Sequence, residues 1–517
     1  MKTGRYFIMV CLVLALVIMG WTQPVPAQTR SPEQPQYGGM FTLLHNGGIS
    51  VISSPSEGGA LMMLRNTCPV FERLLKTDDN ERLQPWLAES WDISRDGKMI
   101  TLHLRRGIKF HDGTDFNAEA VKYNLEVVKT AAIPGSGVLS KVSSYDIPDP
   151  YTIRLNLTRY DATLLLRLAQ TYVGSMVSPT AHKIKTTPEN AAKDHMVGTG
   201  PFKFDSWQRD IYVRFKKFDG YWQKGKPYLD AIQLRYISDL TVSLMAFMAG
   251  EAQAIENIDP VEAKELAKRY DVRTPNLYFF HNFLLDGGNP DSPFANKKVR
   301  EAVEYAIDKK TVAQGVGMGY YPLTQFAAPT DPWYVPGLKP REYDPAKAKQ
   351  LLAEAGYPNG FKTKLVADVR ARRDPMIAAQ TYLKEVGIDA ELDMADIARA
   401  TAMRREGWKG ILYPGFPNAG TFIGIQDRYG QANDFVSFYR PPGWQEKWAA
   451  LLEQPDENKR LVQFKELIKI MYDEVIAIPY MGNSPLMALK PGVVHGFKLH
   501  ANHTADYYEP ENIWLSK

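Results

Sequence analysis

The stretch from Phe361 to Tyr413 constrains the fold more than any other part of the chain. Phe361 to Asp368, after the turn residues Pro358-Asn359-Gly360, reads as a strand. Asp374 as N-cap, Pro375 at the first helical position and Gly387 just past the end delimit a helix. Ile388, Ala390, Leu392 and Met394 then alternate as a strand, Ile397 to Glu406 reads as a helix, and Ile411 to Tyr413 returns as a strand. Parallel neighbours need long crossovers, so this β-α-β-α-β order predicts a parallel sheet with helices on its faces. The fold class expected is α/β.

An earlier region has a different pattern. Ile100, Leu102 and Leu104 alternate with Thr101, His103 and Arg105 behind an Asp96-Gly97 turn, and Ile153, Leu155 and Leu157 repeat the alternation after Pro148-Asp149-Pro150. Between them Asn117 is an N-cap and Val121, Leu125 and Val128 share one helical face. Residues from about 60 to 170 therefore read as an α+β unit of their own. Further on, Lys297 to Lys310 reads as one helix with Val299, Val303, Ala306 and Ile307 as its stripe, and Asp344-Pro345 opens a helix that Gly356 closes. There is no internal repeat and no extended linker after residue 40.

Lys2 and Arg5 precede a 14-residue apolar run, Phe7 to Gly20, and Val25-Pro26-Ala27 resembles a small-residue cleavage site. Residues 1–27 read as a cleavable signal peptide, with an uncleaved anchor as the competing reading; the run is short for a span. Cys11 lies in the middle of the run, which argues against lipid attachment. A net charge of +4 on 517 residues is too small for a nucleic-acid footprint. Two cysteines, Cys11 and Cys68, form neither a disulfide framework nor a zinc cluster.

The chain carries no G-x-S-x-G elbow, no H-E-x-x-H and no G-x-G-x-x-G after a strand. Gly220 to Lys226 approaches a phosphate loop, but Pro227 stands where a Ser or Thr would hold magnesium, so a surface turn is expected. His500 and His503 lack a third ligand, and Cys68 reads as a packing residue. No metal or cofactor is expected, and nothing in these motifs calls for catalysis.

Several segments in order resemble the extracytoplasmic solute-binding proteins, family 5, that serve peptide- and nickel-type ABC importers. The most specific is LAESWDISRDGKMITLHLRRGIKFHDGTDFNAEAVKYNLE, Leu87 to Glu126. Val197 to Phe204 is similar to the family's V-G-T-G-P-F/Y strand and leads into KKFDGYWQKGKPYLD, Lys216 to Asp230. Ser292 to Lys309 resembles the helix that opens the second lobe, Tyr343 to Gly356 resembles Y-D/N-P-x-x-A-x-x-L-L-x-x-A-G, and Ile478-Pro479-Tyr480 follows near the end. The resemblance implies a type II periplasmic-binding-protein fold, two hinged α/β lobes plus an extra α+β domain. Lobe I would comprise 38–58, 173–272 and 484–517, the extra domain 59–172, and lobe II 273–483, with hinges near Pro275 and Asn483. It also implies a periplasmic, monomeric protein that holds a small molecule or short peptide and docks on ABC permease subunits. A chemoreceptor accessory and a hydrolase sharing the fold are the alternatives.

The family pattern further implies the cleft residues His45, Asn46, Phe280, Asn282, Trp408, Tyr413, Phe416, Asn418 and Asn483. Aromatic rings would offer flat walls and amides would orient polar groups. Peptide-binding members commonly carry an Asp after the last strand of the β-α-β-α-β run, where it pairs with the peptide's α-ammonium. Here Tyr413 to Gly420 contains no acid, so the usual recognition of a peptide N-terminus is not expected. Asp286 could substitute, or Arg404 and Arg405 could favour an anionic solute; a surface location competes for all three.

Overall fold

The computed structural model describes residues 34–45, 47–48, 52–57, 66–131, 133–187, 190–274, 279–414, 418–499 and 508–516. Contacts group the chain into Met1–Pro35 and Gln36–Lys517, and the sheets described lie in the second unit. The expected signal segment to residue 27, the expected hinge near Pro275 and the pair His500 and His503 lie outside the described residues. Among the described residues, no helix is long and apolar enough to cross a membrane.

A first mixed sheet runs in the order Asp271–Arg273, Met487–Leu489, Ala254–Glu256, Met40–His45, Ala231–Tyr236, Tyr212–Lys217, Phe202–Gln208. Side chains alternate across it. Phe41 and Leu43 face a core with Phe71, Phe215 and Tyr508, whereas Leu44, Ile255 and Ala488 face a core that includes Phe247 and Leu266 from two covering helices. Met40–His45 is parallel to both of its neighbours, with His45 beside Tyr236 and Leu44 beside Ile255. The carboxyl ends of three strands therefore coincide.

A second sheet runs Tyr320–Pro322, Ile478–Asn483, Phe279–Leu285, Ile411–Tyr413, Phe361–Asp368, Ile388–Ala395, with Asn418–Ala419 pairing to Phe279–Leu285 off this path. The predicted parallel order holds: Phe361–Asp368 pairs in parallel with Ile388–Ala395 from Phe361↔Ile388 to Asp368↔Ala395, and with Ile411–Tyr413 on its other side. Both faces are covered. Phe283, Leu285, Leu365 and Ala367 enter one core, and Phe280, Leu284, Val366 and Leu412 enter an aromatic core with Trp333, Trp408, Tyr429 and Trp448. Gly360 starts the first of these strands at φ +72°, with the Gly387 carbonyl 1.9 Å from where a Cβ would stand, so no larger residue fits without movement.

Two helix boundaries differ from expectation. The stretch Lys297 to Lys310 is broken into Lys297–Ala306 and Lys309–Val316, because Ile307 is extended (φ −110°, ψ 120°) and Asp308 accepts the Thr311 N–H as a new N-cap. The helix expected to be capped by Asp374 begins two residues earlier and spans Arg373–Glu385, with Arg372 at its N-cap. Asp374 falls within its first turn, where its carboxylate is taken by Arg372 at 3.0 and 3.2 Å.

The region read as α+β forms an antiparallel sheet, Ala88–Ile93, Met99–Leu104, Thr152–Leu157, Val142–Asp149 in spatial order, under the helix Ala118–Ala131. Asn117 Oδ1 accepts the Ala120 N–H at 3.0 Å, and Val121, Leu125 and Val128 meet Ile100, Leu102 and Ile153 in one core. The turn after Gly220 is not a phosphate cradle: Trp222 Nε1 and the Tyr221 hydroxyl both donate to the buried Glu72 carboxylate. Cys68 is buried, and its thiol is pushed up to about 12 by that burial, which suits packing rather than reactivity.

Candidate functional site: two clusters at strand ends

In open α/β sheets, side chains that meet ligands gather beyond the carboxyl ends of parallel strands. On the first sheet those ends carry His45, Tyr236 and Glu256. His45 Nδ1 is paired with Glu256 Oε1, and the Tyr236 ring stands edge-on to the imidazole at 5.6 Å. All three are buried. Burial first, and then the Glu256 charge, push the Tyr236 hydroxyl above its ordinary range, so it stays a neutral phenol.

On the second sheet the corresponding cluster centres on His281. Its Nε2–H donates to Asn483 Oδ1 at 2.8 Å, and the Tyr413 hydroxyl donates to its Nδ1 at 2.8 Å. The His281 and Tyr413 rings stack 6.0 Å apart at 12°, and Tyr320 lies 6.0 Å away on the same imidazole. Burial, with the charges of Arg428 and Arg372 adding to it, lowers His281 to about 4. The ring is therefore neutral near pH 7, and the two hydrogen bonds require one tautomer.

The two sheets meet close to this second cluster. Arg372, just ahead of the helix Arg373–Glu385, reaches Asp259 Oδ2 at 2.8 Å, and Asp259 caps the helix Pro260–Leu266 of the first sheet. A Cβ on Gly317 would stand 2.9 Å from Pro260 Cβ, and Ser484 N–H donates to Gly319 O at 3.2 Å. A second seam joins the antiparallel region to the aromatic core. Ala162 N–H donates to Leu452 O at 2.7 Å, Arg159 pairs with Glu453 at 3.1 Å, and Arg167 pairs with Asp427 at 2.5 Å. A cleft of about 420 Å³ opens along that seam, away from both strand-end clusters, between Lys141, Arg167, Gln431 and Trp448.

The expected cleft residues are distributed unevenly. Tyr413 and Asn483 come together around His281, and His45 stands at the other cluster. Phe280 is wholly buried, edge-on to Phe326 at 6.2 Å. Asn282 is 1% exposed and accepts from Arg428 Nη1 at 3.0 Å, while Trp408 is 5% exposed and edge-on to Phe435. Phe280 and Trp408 belong to the aromatic core, and Asn282 is buried against Arg428. Asn418 pairs through its backbone with Phe280; its side chain, and all of Asn46 and Phe416, lie outside the described residues.

Asp286 is neither on the surface nor beside the cluster. It is 3% exposed, its N–H donates to Gly410 O at 3.0 Å, and its carboxylate accepts from Ser292 at 2.5 Å. That places it at the opposite end of its strand from Phe279 and His281. Arg404 is committed to Asp434, with Nε donating to Oδ1 at 3.0 Å, and Arg405 is exposed. His281 was the residue sequence reasoning passed over. Its signal is an imidazole beside the amide Asn282 in a strand whose other residues are aromatic or aliphatic.

Seven-stranded α/β sheets linked by short crossings, with an inserted antiparallel region, define a type II periplasmic-binding-protein fold. A solved structure of the binding protein AgaA of A. tumefaciens R10, in complex with agropinic acid, is 25% identical, covers 93% of this chain and 99% of that chain, and superposes with a TM-score of 0.76. The binding protein CtaP of Listeria monocytogenes superposes with a TM-score of 0.81 at 18% identity, over 93% and 100% of the two chains. The chain belongs to the bacterial extracellular solute-binding proteins, family 5, whose middle-region model matches residues 82–420. The glutathione-binding protein GsiB of Shigella flexneri is 34% identical over 339 residues, 64% of this chain. The alignment spans 65% of that relative's own length.

Proposed function

We propose that this protein is the exported receptor of an ABC importer and traps a small organic solute between two lobes, 38–58 with 173–272 and 484–517 against 273–483. The region 59–172 rides as an extra domain, residues 1–27 are removed on export, and the loaded protein, a monomer, meets the permease subunits. One observation carries this reading. Family membership coincides with two strand-end clusters, His45–Glu256–Tyr236 and His281–Tyr413–Asn483, whose polar groups are neutral or already paired. Such groups can orient a guest, and a guest that touches both lobes stabilises only the closed form.

The ligands named for two relatives, glutathione (a γ-linked tripeptide) and agropinic acid, are both small and carry carboxylates. The segment after Tyr413 has no acid in this chain to meet a peptide ammonium. Of the three arginines that follow the carboxyl end of the strand Phe361–Asp368, Arg370 pairs with Asp368 and Arg372 with Asp259 and Asp374, and Arg373 is exposed. A polar organic acid is therefore the favoured solute class. Thermal-shift titration of the mature protein with glutathione, dipeptides, tripeptides, sugar acids and neutral sugars tests it. Stabilisation by at least one acid is expected; stabilisation by simple peptides alone overturns the solute class, and turnover of any compound overturns the receptor reading.

A further inference from the structure

Glu81 occupies the turn between the short strands Leu75–Thr77 and Leu83–Pro85. Its φ is +60°, the left-handed region that non-glycine residues seldom enter. It is 8% exposed, and it reaches across the second seam: Oε2 accepts the N–H of Phe422 at 3.1 Å. Phe422 opens the helix Phe422–Ile425 and belongs to the aromatic core of the second sheet. The other oxygen, Oε1, is buried and has no hydrogen-bond partner among the described residues.

Among the described residues no cation answers this carboxylate. Asp331, 7% exposed, is the charged side chain that acts on it among the described residues, and it is an acid. Asp331 Oδ2 is itself occupied by the Ala328 N–H at 2.7 Å. Within Glu81's own turn, Asp78 accepts from the N–H groups of Asn80 and Arg82, Asp79 lies 3.6 Å from Lys498, and the Arg82 side chain is exposed. Arg167, on the nearby helix Thr163–Gln170, is committed to Asp427. Burial, aided by the Asp331 charge, pushes Glu81 well above the ordinary carboxylate range, and burial pushes Asp331 up to about 7.

We propose that Glu81 is a proton-dependent latch: forming the seam between the antiparallel region and the aromatic core takes up a proton at Glu81, and ionisation of that carboxyl group favours separation. The functional meaning of the latch rests on the two-lobe capture proposed above, because this seam joins the extra domain to the lobe that would move. Its chemistry does not depend on the solute. With the seam open, Glu81 is hydrated and titrates in the ordinary range; with it closed, the neutral acid is favoured. The closed form thus binds more protons, and closure weakens as pH rises from the open-state value to the closed-state value. The limit is about tenfold in the closing equilibrium per pH unit for one proton.

The Phe422 amide reports the seam directly. Hydrogen exchange of the full-length chain, without added solute, is measured from pH 5 to 9 and corrected for the intrinsic rate at each pH. The protection factor at Phe422 is expected to fall as pH rises, by up to about tenfold per unit. Glu81→Gln keeps an acceptor oxygen without a titratable proton, and should hold the acid-limit protection at every pH. Asp331→Asn removes the neighbouring charge and should reduce the total loss, which decides the matter if the first variant fails to fold. A pH-independent protection factor in the unaltered protein, or a Glu81→Gln profile that follows it, overturns the latch. Absence of any stabilisation in the thermal-shift titration with solutes, alongside an intact Phe422 profile, would overturn the capture reading alone.

Discussion

Protonating His281 should break the second strand-end cluster, and the cost can be worked from its contacts. The neutral ring donates from Nε2 to Asn483 and accepts at Nδ1 from Tyr413. Adding a proton turns Nδ1 into a donor that faces the Tyr413 hydroxyl and places charge in a buried site. A fall from the usual 6.5 to about 4 corresponds to at most about 3 kcal/mol, at roughly 1.4 kcal/mol per pH unit. The sign follows from the depressed value. The unfolded chain binds the proton first, so this contribution is whole above about pH 6.5 and is lost as pH falls toward 4. His281→Gln cannot titrate. Urea unfolding of both proteins at pH 7.5, 6, 5 and 4.5 isolates the effect from the other titrating groups, which the two share. The variant should be the less stable at pH 7.5, by about 1–3 kcal/mol for imperfectly replaced hydrogen bonds. The gap should narrow by about 2 kcal/mol or more at pH 4.5. A gap that is constant across this range refutes the argument.

Glu72→Leu should destabilise by at least about 3 kcal/mol in denaturant unfolding, because Trp86, Trp222, Tyr221 and Thr199 all donate to that carboxylate and would be left without an acceptor. Phe280→Ala should cost about 3–5 kcal/mol in the same assay, as expected for emptying a site that is 0% exposed. Gly360→Ala should cost more than about 1 kcal/mol, since φ +72° strains an alanine and the Gly387 carbonyl leaves no room for its Cβ. Arg372→Ala should change stability by less than about 1 kcal/mol, because the pair with Asp259 is 39% and 32% exposed, yet it should enlarge the solute-free radius of gyration measured by X-ray scattering.

Elements with their own local boundaries were legible. Phe361–Asp368, Ile397–Glu406 and Ile411–Tyr413 fall residue for residue where turn residues, period and capping put them. The break at Ile307 was not, because apolar spacing continues through Ala306, Ile307 and Val312 while the backbone of Ile307 and Asp308 departs from helix. The Arg373 start was hidden because Asp374 is a good capping residue whose carboxylate is claimed by a neighbouring guanidinium. Alternation along Phe279–Leu285 separates two faces, but both are apolar and both are buried, so nothing local ranks His281 above Phe280 or Asn282. The placements of Asp286 and Arg404 were set by Gly410 and Asp434, partners far along the chain that no local pattern announces.

The position of Met487–Leu489 bears on how the chain comes to be folded at all. This late segment pairs with Ala254–Glu256 on one side and Asp271–Arg273 on the other, filling an inner place in a sheet that Met40–His45 also helps to build. Until the chain has been made as far as Leu489, that gap stays empty and the edge of Ala254–Glu256 lacks this partner. Closing a loop of this length is slow, so the newborn molecule remains pliable through synthesis. Such a delay ties the completion of this sheet to pairing across a long stretch of sequence.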